Sequence, residues 1–108
     1  MRLRNAAVAA FGAFTLLLAV PNSASAAIGE FQYRYGTESV GKFLDPDSET
    51  CINIPEADEL NPAYRPWNYT DKTATVFAQA ECDGDEYYVL NPGKQGEEKI
   101  KFRSVVFS

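Results

Sequence analysis

Thr73-Ala74-Thr75-Val76-Phe77-Ala78-Gln79-Ala80-Glu81-Cys82 is the stretch on which the fold turns. Ala74, Val76, Ala78, Ala80 and Cys82 alternate with Thr73, Thr75, Phe77 and Gln79, the period-two pattern of a strand with one buried face. Downstream, Asp83-Gly84-Asp85 reads as a turn, residues 87–90 as a strand, Asn91-Pro92-Gly93 as a second turn and residues 99–107 as a closing strand. Upstream, Cys51-Ile52-Asn53-Ile54 is a short strand stopped by Pro55, and residues 56–66 form the longest irregular stretch. Phe31, Tyr33 and Tyr35 alternate with Gln32 and Arg34, so residues 30–44 predict a hairpin turning at Gly36-Thr37-Glu38-Ser39 and broken by Asp45-Pro46-Asp47-Ser48-Glu49. No segment sustains a 3.6-residue apolar period and no internal repeat is evident. Short strands separated by Gly, Pro and Asp predict an all-β sandwich or small barrel.

The first quarter of the 108 residues is different in kind. Arg2 and Arg4 precede an uncharged run over residues 6–20, and Ala24-Ser25-Ala26 has the small-x-small pattern that a signal peptidase reads. That run is shorter than the roughly 20 residues a membrane span requires. Residues 1–26 are therefore expected to be a signal peptide, with cleavage after Ala27 as the alternative, and residues 27–108 a single secreted, extracellular domain. Without Arg2 and Arg4 the domain keeps 8 basic and 15 acidic side chains, a net charge of −7. A field of that sign repels phosphate and anionic lipid, which argues against nucleic acid or a membrane surface as its partner. There is no histidine, so no Ser-His-Asp or Cys-His dyad and no imidazole-ligated zinc site can be assembled.

Both cysteines, Cys51 and Cys82, fall in the exported part, where an oxidising space joins such a pair. A disulfide across that separation is worth roughly 3 to 4 kcal/mol on the chain-entropy model. A redox role would call for a close C-x-x-C pair, which is absent.

Residues 77–107 carry a pattern of their own: Phe77, six residues and then Gly84, with Ser104 just before Val105-Val106-Phe107. This resembles a Greek-key motif of the βγ-crystallin family, in which a glycine takes the positive φ of a folded-over hairpin and an aromatic packs across the corner. The resemblance implies a small Greek-key β-sandwich of the βγ-crystallin type, with an extended N-terminal strand and one disulfide. The N-terminal half departs from the spacing, since five residues separate Tyr35 from Gly41. More broadly, residues 51–108 look like small crystallin-type proteins exported by filamentous soil bacteria. Some of these resemble killer toxins. Others look like the adaptor subunit of secreted umbrella-shaped toxin particles, which joins a lectin-like subunit to the toxin chain. The resemblance thus implies a non-enzymatic adaptor acting against competing microbes, with other secreted subunits as partners. The alternatives are a stand-alone killer-type toxin acting on cell surfaces, or a small protease inhibitor presenting residues 56–66.

Candidate sites divide by chemistry. Twelve aromatic residues remain after the leader is removed. Phe77, Phe102 and Phe107 are assigned to the core, whereas Tyr64, Trp67 and Tyr69 beside the proline-punctuated loop have the character of interface anchors, the alternative being that Trp67 simply plugs one end of the sandwich. Phe31, Tyr33 and Tyr35 form a second candidate contact, an extended segment able to add a strand to a partner's sheet. Lys99, Lys101 and Arg103 would share one face of the closing strand, a stripe that keeps an edge strand from self-pairing or docks an acidic partner. Asn68-Tyr69-Thr70-Asp71-Lys72-Thr73 is the nearest approach to a crystallin calcium loop, but Lys72 opposes a cation there, so no cofactor or metal is assigned. Asn68-Tyr69-Thr70 also fits a glycosylation sequon. Nothing among the fifteen acids selects a catalytic pair, and no catalytic residue is assigned.

Overall fold

In the computed structural model the described residues are 26–108, and the expected leader lies outside them except for its last residue. The chain is all-β. Its strands are β1 (Gly29–Tyr35), β2 (Ser39–Leu44), β3 (Ile52–Asn53), β4 (Ala63–Thr70), β5 (Ala74–Phe77), β6 (Tyr87–Leu90), β7 (Lys101–Phe102) and β8 (Ser104–Phe107). Among the described residues one 3-10 turn, Ala80–Cys82, follows β5. No helix among the described residues is long and apolar enough to cross a membrane.

Two antiparallel four-stranded sheets form, sheet I in the order β2-β1-β4-β7 and sheet II in the order β6-β5-β8-β3. Adding four to each label of the first half gives the second, with the third strand of each half exchanged into the opposite sheet. The fourth strand of each half returns to lie beside the first, β4 against β1 and β8 against β5. The molecule therefore repeats in topology although its sequence shows no repeat.

The core lies between the sheets. Phe31 of sheet I meets Phe107 of sheet II edge-on at 5.3 Å between ring centres, and Phe102 at 6.1 Å. Ala74, Val76, Leu90, Val105 and Ile54 complete it from sheet II and its flank. Burying aromatics of this size contributes more than any polar contact available to so small a domain.

Several boundaries differ from the sequence reading, each for a local reason. The strand expected over residues 73–82 ends at Phe77, because the backbone turns left-handed at Glu81 (φ 62°) and Cys82 (φ 51°). The closing strand divides at Arg103, whose N–H donates to Phe77 and whose carbonyl accepts from Ile54, so the chain crosses from sheet I to sheet II there. Lys99, Lys101 and Arg103 consequently do not form one strand face. Lys99 pairs with Glu97, Lys101 sits over the Tyr64 ring, and Arg103 is half-buried. The irregular stretch is also shorter than expected, since β4 begins at Ala63 and runs through Pro66.

The predicted disulfide joins Cys51 and Cys82, with Cα atoms 5.9 Å apart. It is one of three clamps on the turn after β5. Asn53 donates through Nδ2 to Glu81 and accepts from the Glu81 N–H, both at 2.8 Å. The buried Ser104 hydroxyl donates to the Gln79 carbonyl (2.6 Å) and accepts from the Cys82 N–H (2.8 Å). Gly84 takes the expected positive φ, 84°. The side chain nearest it is Gln79, however, and the Phe77 ring packs on Tyr87 at 5.6 Å instead.

The first half closes its hairpin by a different residue. The Tyr64 hydroxyl donates to the Gly36 carbonyl (3.0 Å) and accepts from the Glu38 N–H (3.1 Å), which places Tyr64 where Ser104 stands in the second half. The registers agree, with Tyr64 opposite Arg34 at the end of β1 and Ser104 opposite Phe77 at the end of β5.

Candidate functional site: the outer face of sheet I

A bulge builds this face. β1 and β4 pair Glu30 with Tyr69, Gln32 with Trp67 and Arg34 with Tyr64, so Arg65 and Pro66 together oppose Tyr33. Arg65 takes a positive φ of 51°. Paired residues share a face, and the extra residue shifts the alternation by one, bringing Tyr64, Trp67 and Tyr69 to the same side despite their mixed spacing. Pro66, having no N–H, is tolerated inside the strand at this irregularity. Its carbonyl accepts from Gly96.

β2 extends the face, because Val40, Lys42 and Leu44 stand opposite Arg34, Gln32 and Glu30. Three rows result. Leu44, Glu30 and Tyr69 form one, Lys42, Gln32 and Trp67 the next, and Val40, Arg34 and Tyr64 the third. Trp67 and Tyr69 stack with ring centres 4.7 Å apart and planes 21° from parallel. Tyr69 is 45% exposed, Val40 57% and Leu44 69%, apolar area that folding leaves uncovered on either side of the polar row Glu30, Gln32 and Arg34. Gln95 bridges to Trp67 from the far side. A shallow depression of about 90 Å³ beside the indole is lined by Gln32, Arg34, Arg65, Trp67 and Gln95. Ion pairs ring it: Arg34 with Glu38 and Arg65 with Glu98, both 2.8 Å, and Lys42 with Glu30 at 3.7 Å. Glu98 raises the Arg65 guanidinium further above its ordinary value through a hydrogen bond and its charge.

The six expected contact residues separate accordingly. Trp67 and Tyr69 lie on the outer face. Tyr64 reaches its margin, but its hydroxyl is committed to the first hairpin. Phe31 and Tyr33 are buried on the opposite side of β1, and Tyr35 packs against the same core. The segment expected to be offered to a partner's sheet is instead an interior strand, hydrogen-bonded to β2 on one side and β4 on the other. Tyr33 donates to Glu56 at 2.7 Å, and burial followed by that hydrogen bond pushes its phenol far above the ordinary range. Val40 and Leu44 were not singled out by sequence. Their alternation with Gly41 and Phe43 was the available signal, but it does not say which side faces the core.

Asn68 is wholly buried. Its amide donates to the carbonyls of Lys72 (2.7 Å) and Leu90 (2.9 Å), and its Oδ1 accepts from the N–H and hydroxyl of Thr70. The sequon is thus closed to a glycosyl group in the folded chain. Asp71, also in the calcium-like run, accepts from the Ile28 N–H. No group of three or more His, Cys, Asp or Glu arranged to hold a metal occurs among the described residues. The face offers stacking area, amides and guanidinium groups, the equipment of recognition. Comparison with protein-family models, with curated proteins and with solved structures finds no match to the chain.

Proposed function

We propose that the chain is a secreted, non-enzymatic binding module whose sheet I face, centred on Trp67 and Tyr69, seats other secreted protein subunits. The observation that carries this reading is the stacked aromatic pair on β4, with Tyr69 exposed, set across the polar row Glu30, Gln32 and Arg34 from exposed Val40 and Leu44, a mixed apolar and charged surface of the kind protein interfaces use. The exchanged third strands and the Ser104 clamp support assignment to the βγ-crystallin Greek-key type. From that resemblance we infer the role of a linking subunit in an extracellular toxin assembly aimed at competing microbes, between lectin-like and toxin chains.

Affinity capture from culture medium tests the reading. Tagged wild-type protein should return larger secreted chains, and Trp67→Ala/Tyr69→Ala should lose them while keeping a cooperative thermal transition. Recovery of free monomer alone from wild type would end the proposal.

A second reading has one observation in its favour. Leu60 is 87% exposed at the tip of a loop held by reciprocal backbone hydrogen bonds between Asp58 and Asn61, with the Asp58 carboxylate accepting from the Leu60 and Asn61 N–H groups. A rigid loop presenting one apolar side chain suits a protease inhibitor. Inhibition of a protease with apolar specificity, abolished by Leu60→Asp, would favour it.

A further inference from the structure

The four strands at sheet edges are unequal. β3 and β7 are two residues long and β2 carries Lys42, whereas β6 is Tyr87-Tyr88-Val89-Leu90, without charge, proline or glycine. Tyr87, Tyr88 and Val89 are all exposed. A strand of this composition at an edge invites pairing unless something covers it.

Its hydrogen-bond phase can be fixed. The Ala78 N–H donates to Glu86, and reciprocal bonds join Thr73 to Ser108 on the other side of β5. Antiparallel alternation then directs the backbone groups of Tyr88 and Leu90 toward β5, and those of Tyr87 and Val89 toward solvent. Two N–H and two C=O groups stand along the free edge without a partner among the described residues.

We propose that this edge binds a second copy of the chain, β6 against β6 about a twofold axis through Tyr88. Of the antiparallel registers, this one lets Tyr87 and Val89 each exchange both hydrogen bonds with Val89 and Tyr87 of the second copy, so all eight free groups are satisfied. Tyr87 and Val89 then form aromatic to β-branched cross-strand pairs on one face, a favourable combination. The two Tyr88 side chains meet on the other face, beside a groove of about 300 Å³ bordered by Leu90, Lys94 and Ile100. Charge favours the same arrangement. Lys94 follows the Leu90 end of the strand and has no ion pair among the described residues, and the twofold brings it toward the Asp83, Asp85 and Glu86 end of the second copy. Sheet II would continue as one eight-stranded sheet, leaving the sheet I face free.

Sedimentation of the purified, oxidised protein from about 10 µM to about 1 mM, the range in which so small an interface associates, tests the proposal. A monomer–dimer equilibrium is expected, with amide exchange at Tyr87 and Val89 slowing as concentration rises. Val89→Pro removes an edge donor and should leave only monomer. Because proline strains a strand, Lys94→Glu is the second variant. It should weaken association roughly tenfold, since the twofold counts each charge contact twice, and Asp85→Lys in the same chain should restore it. A monomer throughout the series overturns the proposal. So does a dimer whose Tyr87 and Val89 amides exchange at the same rate at every concentration, which would place the contact on another surface.

Discussion

Replacing Ser104 with alanine removes a side chain of a few atoms, yet it should cost more than most core truncations of that size. The hydroxyl is fully buried and satisfies two backbone groups of the turn after β5, the Gln79 carbonyl and the Cys82 N–H. Each, left unpaired away from water, costs about 1–3 kcal/mol. Glu81 and Cys82 are held left-handed, a conformation that costs about 1–2 kcal/mol per residue. Loss of the clamp lets that backbone relax, which offsets part of the penalty. The net destabilisation works out at about 2–3 kcal/mol, a large share of the 5–15 kcal/mol typical of a domain. At roughly 4–8 °C per kcal/mol for a domain of this size, the melting temperature should fall by about 8–24 °C. Thermal unfolding with the disulfide intact gives the total, and amide exchange at Cys82 locates it. A shift below about 2 °C, or an unchanged Cys82 exchange rate, would show that the hydroxyl does not hold the turn.

Other perturbations probe different parts of the same scaffold. Cys51→Ala/Cys82→Ala should destabilise by about 3–4 kcal/mol, read as a lowered denaturant midpoint with the loop entropy restored to the unfolded chain. Gly41→Ala sets two effects against each other: alanine gains about 0.5–1 kcal/mol in a strand, but its Cβ would overlap the Tyr33 ring, and overpacking costs about 1–3 kcal/mol. Net destabilisation is expected, and a more stable variant in a urea titration would refute the packing. Because the Tyr33 phenol is raised in the folded state, its contribution is complete below about pH 10, the ordinary tyrosine value, and is lost as pH rises beyond it. The ultraviolet titration difference between wild type and Tyr33→Phe should place the Tyr33 phenol well above the ordinary tyrosine value, and its ionisation at that value would contradict the burial.

What the sequence made legible was whatever depends on neighbours in the chain. The alternation of Phe31 and Tyr33 with Gln32 and Arg34 correctly marked a strand, as did Ala74 with Val76, and two cysteines downstream of the expected leader marked a disulfide. Period-two alternation says that two faces exist without saying what covers either edge, so the 30–44 hairpin is legible but the pairing of the other edge of β1 with β4 is not. The internal repeat was hidden because equivalent positions are filled by unlike residues. Ser104 and Tyr64 both lock a hairpin with one hydroxyl, the serine from beside the backbone and the tyrosine across a ring. Pro66 concealed β4 for a related reason. A proline argues against an interior strand unless a bulge removes the need for its N–H, and the bulge is set by register with β1, which local sequence does not encode.

That bulge also links scaffold to surface. Without the extra residue, Tyr64 and Trp67 would face opposite sides, and either the first hairpin would lose its lock or the outer face its indole. With it, one strand does both. Its inward residues, Asn68 and Thr70, consume their polar groups on one another and on nearby carbonyls, so β4 is fixed along its length by contacts that leave Trp67 and Tyr69 untouched. An aromatic pair mounted on so constrained a backbone, and already stacked, loses little conformational freedom on meeting a partner, which lowers the entropic cost of association. Deleting Trp67 and Tyr69 should therefore reduce binding far more than folding, whereas lesions at Ser104 should do the reverse. A face whose contacts rest on side chains other than those that hold the fold can change without unmaking the fold that carries it.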